Sequence, residues 1–292
     1  MKIGIVQSAF GRCGDFSQQM KCLATHGFEA VDFQDLILYK SALYALSPAA
    51  FEATLKEYEQ IAREEGVEIS QVHGPYTVPQ ADTTPEAVDI KRRLTFRAIE
   101  GTAMLDCRKL VVHPLFPNTS HDLSHAEETR EANLRFLYQV CQKAKEYGVW
   151  ICLENMPSLR FSLATVPDVL GIVKELNDPQ LRVCLDTGHC SYFECSPAKA
   201  VRQIGGELLG ALHIHDNNGR EDQHRLPYDG IIDWADFAHA LAEVDFDGAL
   251  SLETGVQTRL PEPLFDDYMH HVYRRTAYLA EMVRSAKSER NV

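Results

Sequence analysis

Short apolar runs rich in Val, Ile and Leu recur along the chain, separated by longer stretches in which apolar residues return every three or four positions. Eight runs read as strands: Lys2–Ser8, Glu29–Gln34, Glu68–Gly74, Lys109–Pro114, Val149–Asn155, Leu181–His189, Gly210–Asn217 and Gly248–Gly255. Between them, Ala49–Glu65, Glu86–Leu105, Ala126–Tyr147, Val166–Leu176, Trp234–Val244 and Leu264–Val283 read as amphipathic helices. Gly27, Gly66 and Gly148 stand just before a strand, where a left-handed residue closes the preceding helix. Strict alternation predicts a parallel sheet, and eight repeats predict a (β/α)8 TIM barrel in preference to an open doubly wound sheet. No Pro- or Gly-rich linker interrupts the pattern, so residues 1–292 are expected to form one domain. A polar tail from about Ser285, with Lys287, Ser288, Glu289, Arg290 and Asn291, is expected to fray.

Composition narrows the class. With 45% hydrophobic and 24% charged residues, the chain can build a large core and is not a disordered or fibrous protein. Lys and Arg number 29 against 42 Asp and Glu, and the resulting net charge of −13 argues against a nucleic-acid partner. No apolar run reaches the length of about 18 residues that a membrane span needs, and Met1 leads directly into a strand. Neither a membrane span nor a secretory signal is therefore expected. The eight cysteines are scattered without a CxxC pair, which fits reduced thiols in a cytoplasmic protein, Cys152 and Cys184 serving as small core residues.

Candidate chemistry sits at the ends of the strands, because the loops at the C-terminal face of a barrel build its active site. Six consecutive strands end in a residue type that binds metals: His73, His113, Glu154, Asp186 with His189, His213 with His215, and Glu253. One such residue is more often a hydrogen-bonded structural group than a ligand. Six converging on one rim would repel one another or stay unsatisfied without a cation. Carboxylates mixed with neutral imidazoles suit zinc, manganese, cobalt or iron, and the lack of clustered cysteines argues against an iron–sulfur centre. Asp222 and His224, in the loop after the seventh strand, are two further donors, although surface charge explains such a pair as well. His213 and His215 are two apart and so share a face, which leaves open which of them is the ligand.

Taken together, Leu-Glu-Asn at Glu154, Leu-Asp-Thr-Gly-His at Asp186 and His189, His-Ile-His-Asp at His213, and Leu-Glu-Thr at Glu253 resemble the xylose isomerase-like barrels over nearly the whole chain. That superfamily includes sugar isomerases, ketose 3-epimerases and the endonuclease IV type of abasic-site nuclease. The resemblance to ketose epimerases implies that Glu154, Asp186, His213 and Glu253 hold one divalent ion, with His189 touching substrate. His73, His113, His189, Asp222 and His224 complete a pattern that in the nuclease binds three zinc ions. Against the nuclease, the chain lacks a Gly-Ala-His-type start and a Pro-Gly-Ser after His113, and its charge disfavours DNA.

The expected activity is therefore isomerisation or epimerisation of a sugar or sugar phosphate. A divalent ion (Zn, Mn or Co) would stabilise the enediolate, while Glu154 and Glu253 remove and return the proton. His189, His73 and His215 are candidate substrate contacts, and Arg220 is a candidate to hold a hydroxyl or phosphate, with a solvated loop charge as the equal alternative. A hydride shift is a second route to isomerisation. The rivals are a zinc phosphodiester hydrolase and a non-catalytic metal- or sugar-binding barrel, and a homo-oligomer is a superfamily expectation.

Overall fold

The computed structural model describes residues 1–76, 84–116, 125–157, 163–193, 195–256 and 259–290. The eight runs form eight parallel strands: β1 Ile3–Val6, β2 Ala30–Phe33, β3 Glu68–His73, β4 Lys109–Val112, β5 Trp150–Glu154, β6 Leu181–Asp186, β7 Leu209–His213 and β8 Leu250–Leu252. Sequential neighbours pair, β1 also pairs with β8, and the ring closes through one bridge, Ile214 to Leu252. This is a (β/α)8 barrel. At the seam, the Ile214 amide donates to the Ser251 carbonyl at 2.8 Å, and the Glu253 amide donates to the Ile214 carbonyl at 3.0 Å.

Among the described residues, ten α-helices lie between or beyond the strands: α1 Phe16–Thr25, α2 Ala42–Ala45, α3 Pro48–Glu64, α4 Pro85–Met104, α5 Ala126–Tyr147, α6 Val166–Leu176, α7 Thr187–Tyr192, α8 Pro197–Ile204, α9 Trp234–Glu243 and α10 Glu262–Arg290. Local chemistry sets their ends. Proline opens α3, α4, α6 and α8, where its missing N–H is no loss. Asp15 with Gln18 and Thr165 with Asp168 form reciprocal caps on α1 and α6. Gly27, Gly66 and Gly148 all take positive φ, as their positions before strands predicted. No helix among the described residues is long and apolar enough to cross a membrane.

The strands are mostly shorter than the runs that predicted them, and two boundaries change the picture. The sixth run stops as a strand at Asp186, whose side chain accepts from the His189 amide at 2.7 Å and so starts α7, placing His189 on a helix. At the other end, the polar residues from Ser285 continue α10 to Arg290. They stay helical because Lys287 donates to Asp245 at 2.7 Å and to the Phe246 carbonyl at 2.8 Å, and Arg290 donates to the Ala242 carbonyl. Asn291 lies outside the described residues.

Strand alternation divides the core. Ile5, Val31 and Phe33 belong to the large apolar cluster that includes helix residues such as Phe16 and Leu55. Inside the barrel, Val111, Cys152, Cys184 and Ala211 form a separate small cluster. Two residues further along the same strands stand His113, Glu154, Asp186 and His213. Small apolar residues thus floor a polar layer, and that layer is the candidate site.

Candidate metal centre and active site

All six predicted strand-end positions face one cluster. His73 ends β3, Glu154, Asp186 and His213 end β5, β6 and β7, and His113 and Glu253 come directly after β4 and β8. Ligand atoms of Glu154, Asp186, His213 and Glu253 lie within 4.8 Å of one another. His213 Nδ1 sits 2.8 Å from Glu154 Oε1 and 3.2 Å from Glu253 Oε2. Glu154 Oε2 is buried 3.0 Å from His113 Nε2, but no hydrogen bond of good direction satisfies it.

Three carboxylates this close repel, and Glu253 bears the consequence. Glu253, 18% exposed, is pushed up to about 7, first by desolvation and then by Glu154 and Asp186. Desolvation works the same way on Glu154, but His213 and His113 overcome it and hold that carboxyl well below its usual range. For His213, desolvation is outweighed by Cys184, Glu253 and Glu154, so the imidazole is raised. Protonated imidazole thus offsets charge that a divalent ion would offset better. An unsatisfied buried oxygen, three carboxylates and one imidazole are a donor set suited to a hard or borderline divalent cation.

A second group of donors, His189, His215, Asp222 and His224, also lies within 4.8 Å, and His73, His113 and Glu154 make a third. His189 Nδ1 is 2.8 Å from the Asn155 carbonyl, and its Nε2 is 3.4 Å from Asp222. Desolvation would lower both His189 and His224, but carboxylates win. Asp186 and Asp222 raise His189 to about 10, and Asp222 with Glu253 raises His224 to about 9. Asp222 is correspondingly lowered by these two imidazoles against its own desolvation.

Two candidate substrate contacts are placed elsewhere. His215 is fully buried and does not line the cavity: its Nε2 lies 3.0 Å from Asp186 Oδ2, and its ring stacks on His224 at 4.1 Å. It therefore supports Asp186 from behind. Arg220 is exposed in an Asn-rich turn, its amide held by Asn218 at 3.0 Å, and it does not line the cavity either. There its charge is better solvated than in a pocket of imidazoles. His73, His113, His189, Asp222 and His224 do line the cavity, with Glu154 and Glu253 at its floor. The cavity is about 350 Å³, and its remaining wall is apolar: Ile37, Tyr76, Phe116, Met156 and Pro157. Among the described residues lining it there is no Lys or Arg.

Two acidic residues escaped the sequence reading. Asp32, on β2, lies 2.9 Å from His213 Nε2 and accepts from Gln71 Nε2 at 2.8 Å. An acidic residue inside Ala30-Val31-Asp32-Phe33 was the available signal. Asp216 accepts from Trp234 Nε1 at 2.9 Å and from the Ile232 amide at 3.2 Å, bracing the loop that carries Asp222 and His224.

Residues 21–274 match the family model described as xylose isomerase-like TIM barrel. The chain belongs to that family. Within the xylose isomerase-like barrels it is 30% identical over 261 residues to the uncharacterized protein MJ1311 of Methanocaldococcus jannaschii, covering 87% of this chain and 83% of that one. It is 24% identical over 245 residues to a D-psicose 3-epimerase of Enterocloster bolteae, covering 82% of this chain and 76% of the epimerase. In structure it shares its fold with a D-tagatose 3-epimerase-like protein at a TM-score of 0.76 and 23% identity over 99% of both chains. IOLI protein with a bound zinc atom has the same fold, at a TM-score of 0.74 and 16% identity, over 98% of this chain and 99% of that one.

Proposed function

We propose that this xylose isomerase-like barrel is a divalent-metal-dependent isomerase or epimerase of a sugar or sugar phosphate, acting by proton transfer next to a carbonyl. The observation that carries the reading is the convergence of Glu154, Asp186, His213 and Glu253 within 4.8 Å of one another, with Glu154 and Glu253 lining a cavity of about 350 Å³. That size lies toward the low end of small-molecule sites, about 300–1,000 Å³. The epimerase relatives support the substrate class.

Glu154, Asp186, His213 and Glu253 would hold the ion, with zinc, manganese or cobalt all compatible with the donors. When bound, such an ion supplies Lewis-acid stabilisation of negative charge on the substrate's oxygens. Glu154 and Glu253 come from different strands and both face the cavity, so one can take the proton from the carbon beside the carbonyl while the other returns one. His189 and His73 present ring nitrogens to the same space and would bind substrate hydroxyls. The apolar wall limits entry of water to the reacting face.

Purified protein is assayed against a panel of ketoses and aldoses with Mn, Co and Zn. Glu154→Gln and Glu253→Gln are expected to abolish turnover while the melting transition is retained; turnover in both variants removes the mechanism. A second reading, a zinc phosphodiester hydrolase acting on abasic DNA, is favoured by three additional donor groups among the described residues, of which His73 with His113 and Glu154, and His73 with His213 and Glu253, share residues with the first. Three tightly held zinc ions per chain and cleavage of an abasic-site duplex would select it. Isotope exchange from solvent into a bound sugar separates either enzyme from a non-catalytic barrel.

A further inference from the structure

We infer that Asp32, seated by Gln71, is a positioning residue that fixes the ring of His213, with a proton on Nε2 and with Nδ1 facing the carboxylates of the site. The purpose of this arrangement rests on the metal site proposed above; its geometry does not. β2 supplies none of the four proposed ligands, yet it carries a completely buried carboxylate. An irregularity in the β2–β3 register between Val31 and Asp32 brings Asp32 opposite Gln71, so that both side chains meet beneath the site.

The hydrogen-bond arithmetic assigns the proton. Asp32 Oδ2 lies 2.8 Å from Gln71 Nε2 and 2.9 Å from His213 Nε2. A carboxylate oxygen accepts, the Gln71 amide nitrogen can only donate, and His213 Nε2 must donate as well. Gln71 Nε2 also lies 3.3 Å from the carbonyl of Leu212, the residue before His213, so one amide ties the carboxylate to the strand it serves. His213 Nδ1 is then the nitrogen directed at Glu154, 2.8 Å away, and Glu253, 3.2 Å away. His73 stacks on the ring at 5.5 Å between centroids and 11° between planes, which restricts its tilt but not a half-turn. Asp32 selects between the two half-turns, because only one brings Nε2 to its oxygen. Without a cation Nδ1 also carries a proton, donated to Glu154; when a cation takes that place, the proton on Nε2 stays and Nδ1 presents its lone pair in a fixed direction.

The test separates ring position from metal binding. In metal-free, ¹⁵N-histidine-labelled protein, long-range ¹H–¹⁵N spectra are expected to show a slowly exchanging proton on His213 Nε2 in the wild type and its loss in Asp32→Ala, which removes the accepting oxygen. Absence of that proton in the wild type overturns the inference, whatever the variants do. Titration with Co(II), followed by its absorption spectrum, is expected to give about 10–100-fold weaker binding for Asp32→Ala, with part of the affinity restored in Asp32→Glu. Equal cobalt affinity and an unchanged spectrum in Asp32→Ala also overturn it. Wild type that takes up no cobalt defeats the metal reading alone, since the proton on Nε2 is read without metal.

Discussion

Gly188 tests the packing behind Asp186 without touching any proposed ligand. A Cβ at this position of α7 would fall inside the His215 ring, 2.7 Å from Nε2 and closer still to Cε1 and Nδ1. Ordinary carbon contacts are about 3.5–4.0 Å, so in Gly188→Ala the imidazole must retreat by at least about 1 Å. It has nowhere to go without cost: its Nε2 is 3.0 Å from Asp186 Oδ2 and its far face stacks on His224. Overpacking of this kind costs about 1–3 kcal/mol. Losing the hydrogen bond to a buried carboxylate adds about 1–3 kcal/mol. At about 2.1 cal/mol/K of unfolding entropy per residue, the combined cost lowers Tm by about 3–10 °C for this chain. Calorimetry on Gly188→Ala, His215→Ala and the double variant reads the effect. Once the ring is gone, alanine at 188 is expected to cost nothing and to gain about 0.5–1 kcal/mol of helix propensity. An equal Tm loss from Gly188→Ala in both backgrounds would refute the packing argument.

Three further predictions follow from the same layer. Trp234→Phe leaves Asp216 without its indole donor, and a loss of about 1–3 kcal/mol, read in urea unfolding, is expected; an unchanged midpoint would mean the loop is braced elsewhere. In chelator-treated protein, His189 and His224 are raised from 6.5 to about 10 and about 9, so their stabilising contribution is complete below pH 6.5 and is lost as pH climbs through those values. Asp222 is shifted down, so its share holds above pH 3.8 and fails on acidification. The Tm difference between wild type and Asp222→Asn should therefore shrink from pH 6.5 to about 10, and a flat difference would contradict the ion-pair geometry. Adding Zn(II), Mn(II) or Co(II) at 100 times its Kd to stripped protein should stabilise it by about 2.7 kcal/mol, and no rise in Tm with any of the three would count against the centre.

Glu154, Asp186 and His213 could be found from sequence because each closes an apolar run, and strand ends in an alternating β/α chain share one rim. The choice between His213 and His215 was hidden, since a period of two sends both to one side. Only their partners, Asp32 for one and Asp186 for the other, tell them apart. His189 looked like a continuation of β6 because Leu181–Leu185 is strongly apolar, yet Asp186 at a helix N-terminus is itself a local signal for a change of element. Arg220 illustrates the opposite limit. A charge in a loop has no periodicity to orient it, and its distance from the cavity is decided by the turn that Asn218 organises. The end of α10 depends on Asp245, Phe246 and Ala242, far away in the chain, which no inspection of the last residues alone reveals.

The barrel's shortest join lies directly under its chemistry. Where β7 meets β8, a single residue, Ile214, stitches the two staves, and His213 and Glu253 stand immediately beside that stitch on opposite banks. Breathing of the cylinder at this line changes the spacing between two proposed ligands before it loosens anything else. Damage to the apolar contacts around Ile214 and Leu252 should accordingly register as poor metal retention well before the protein melts earlier.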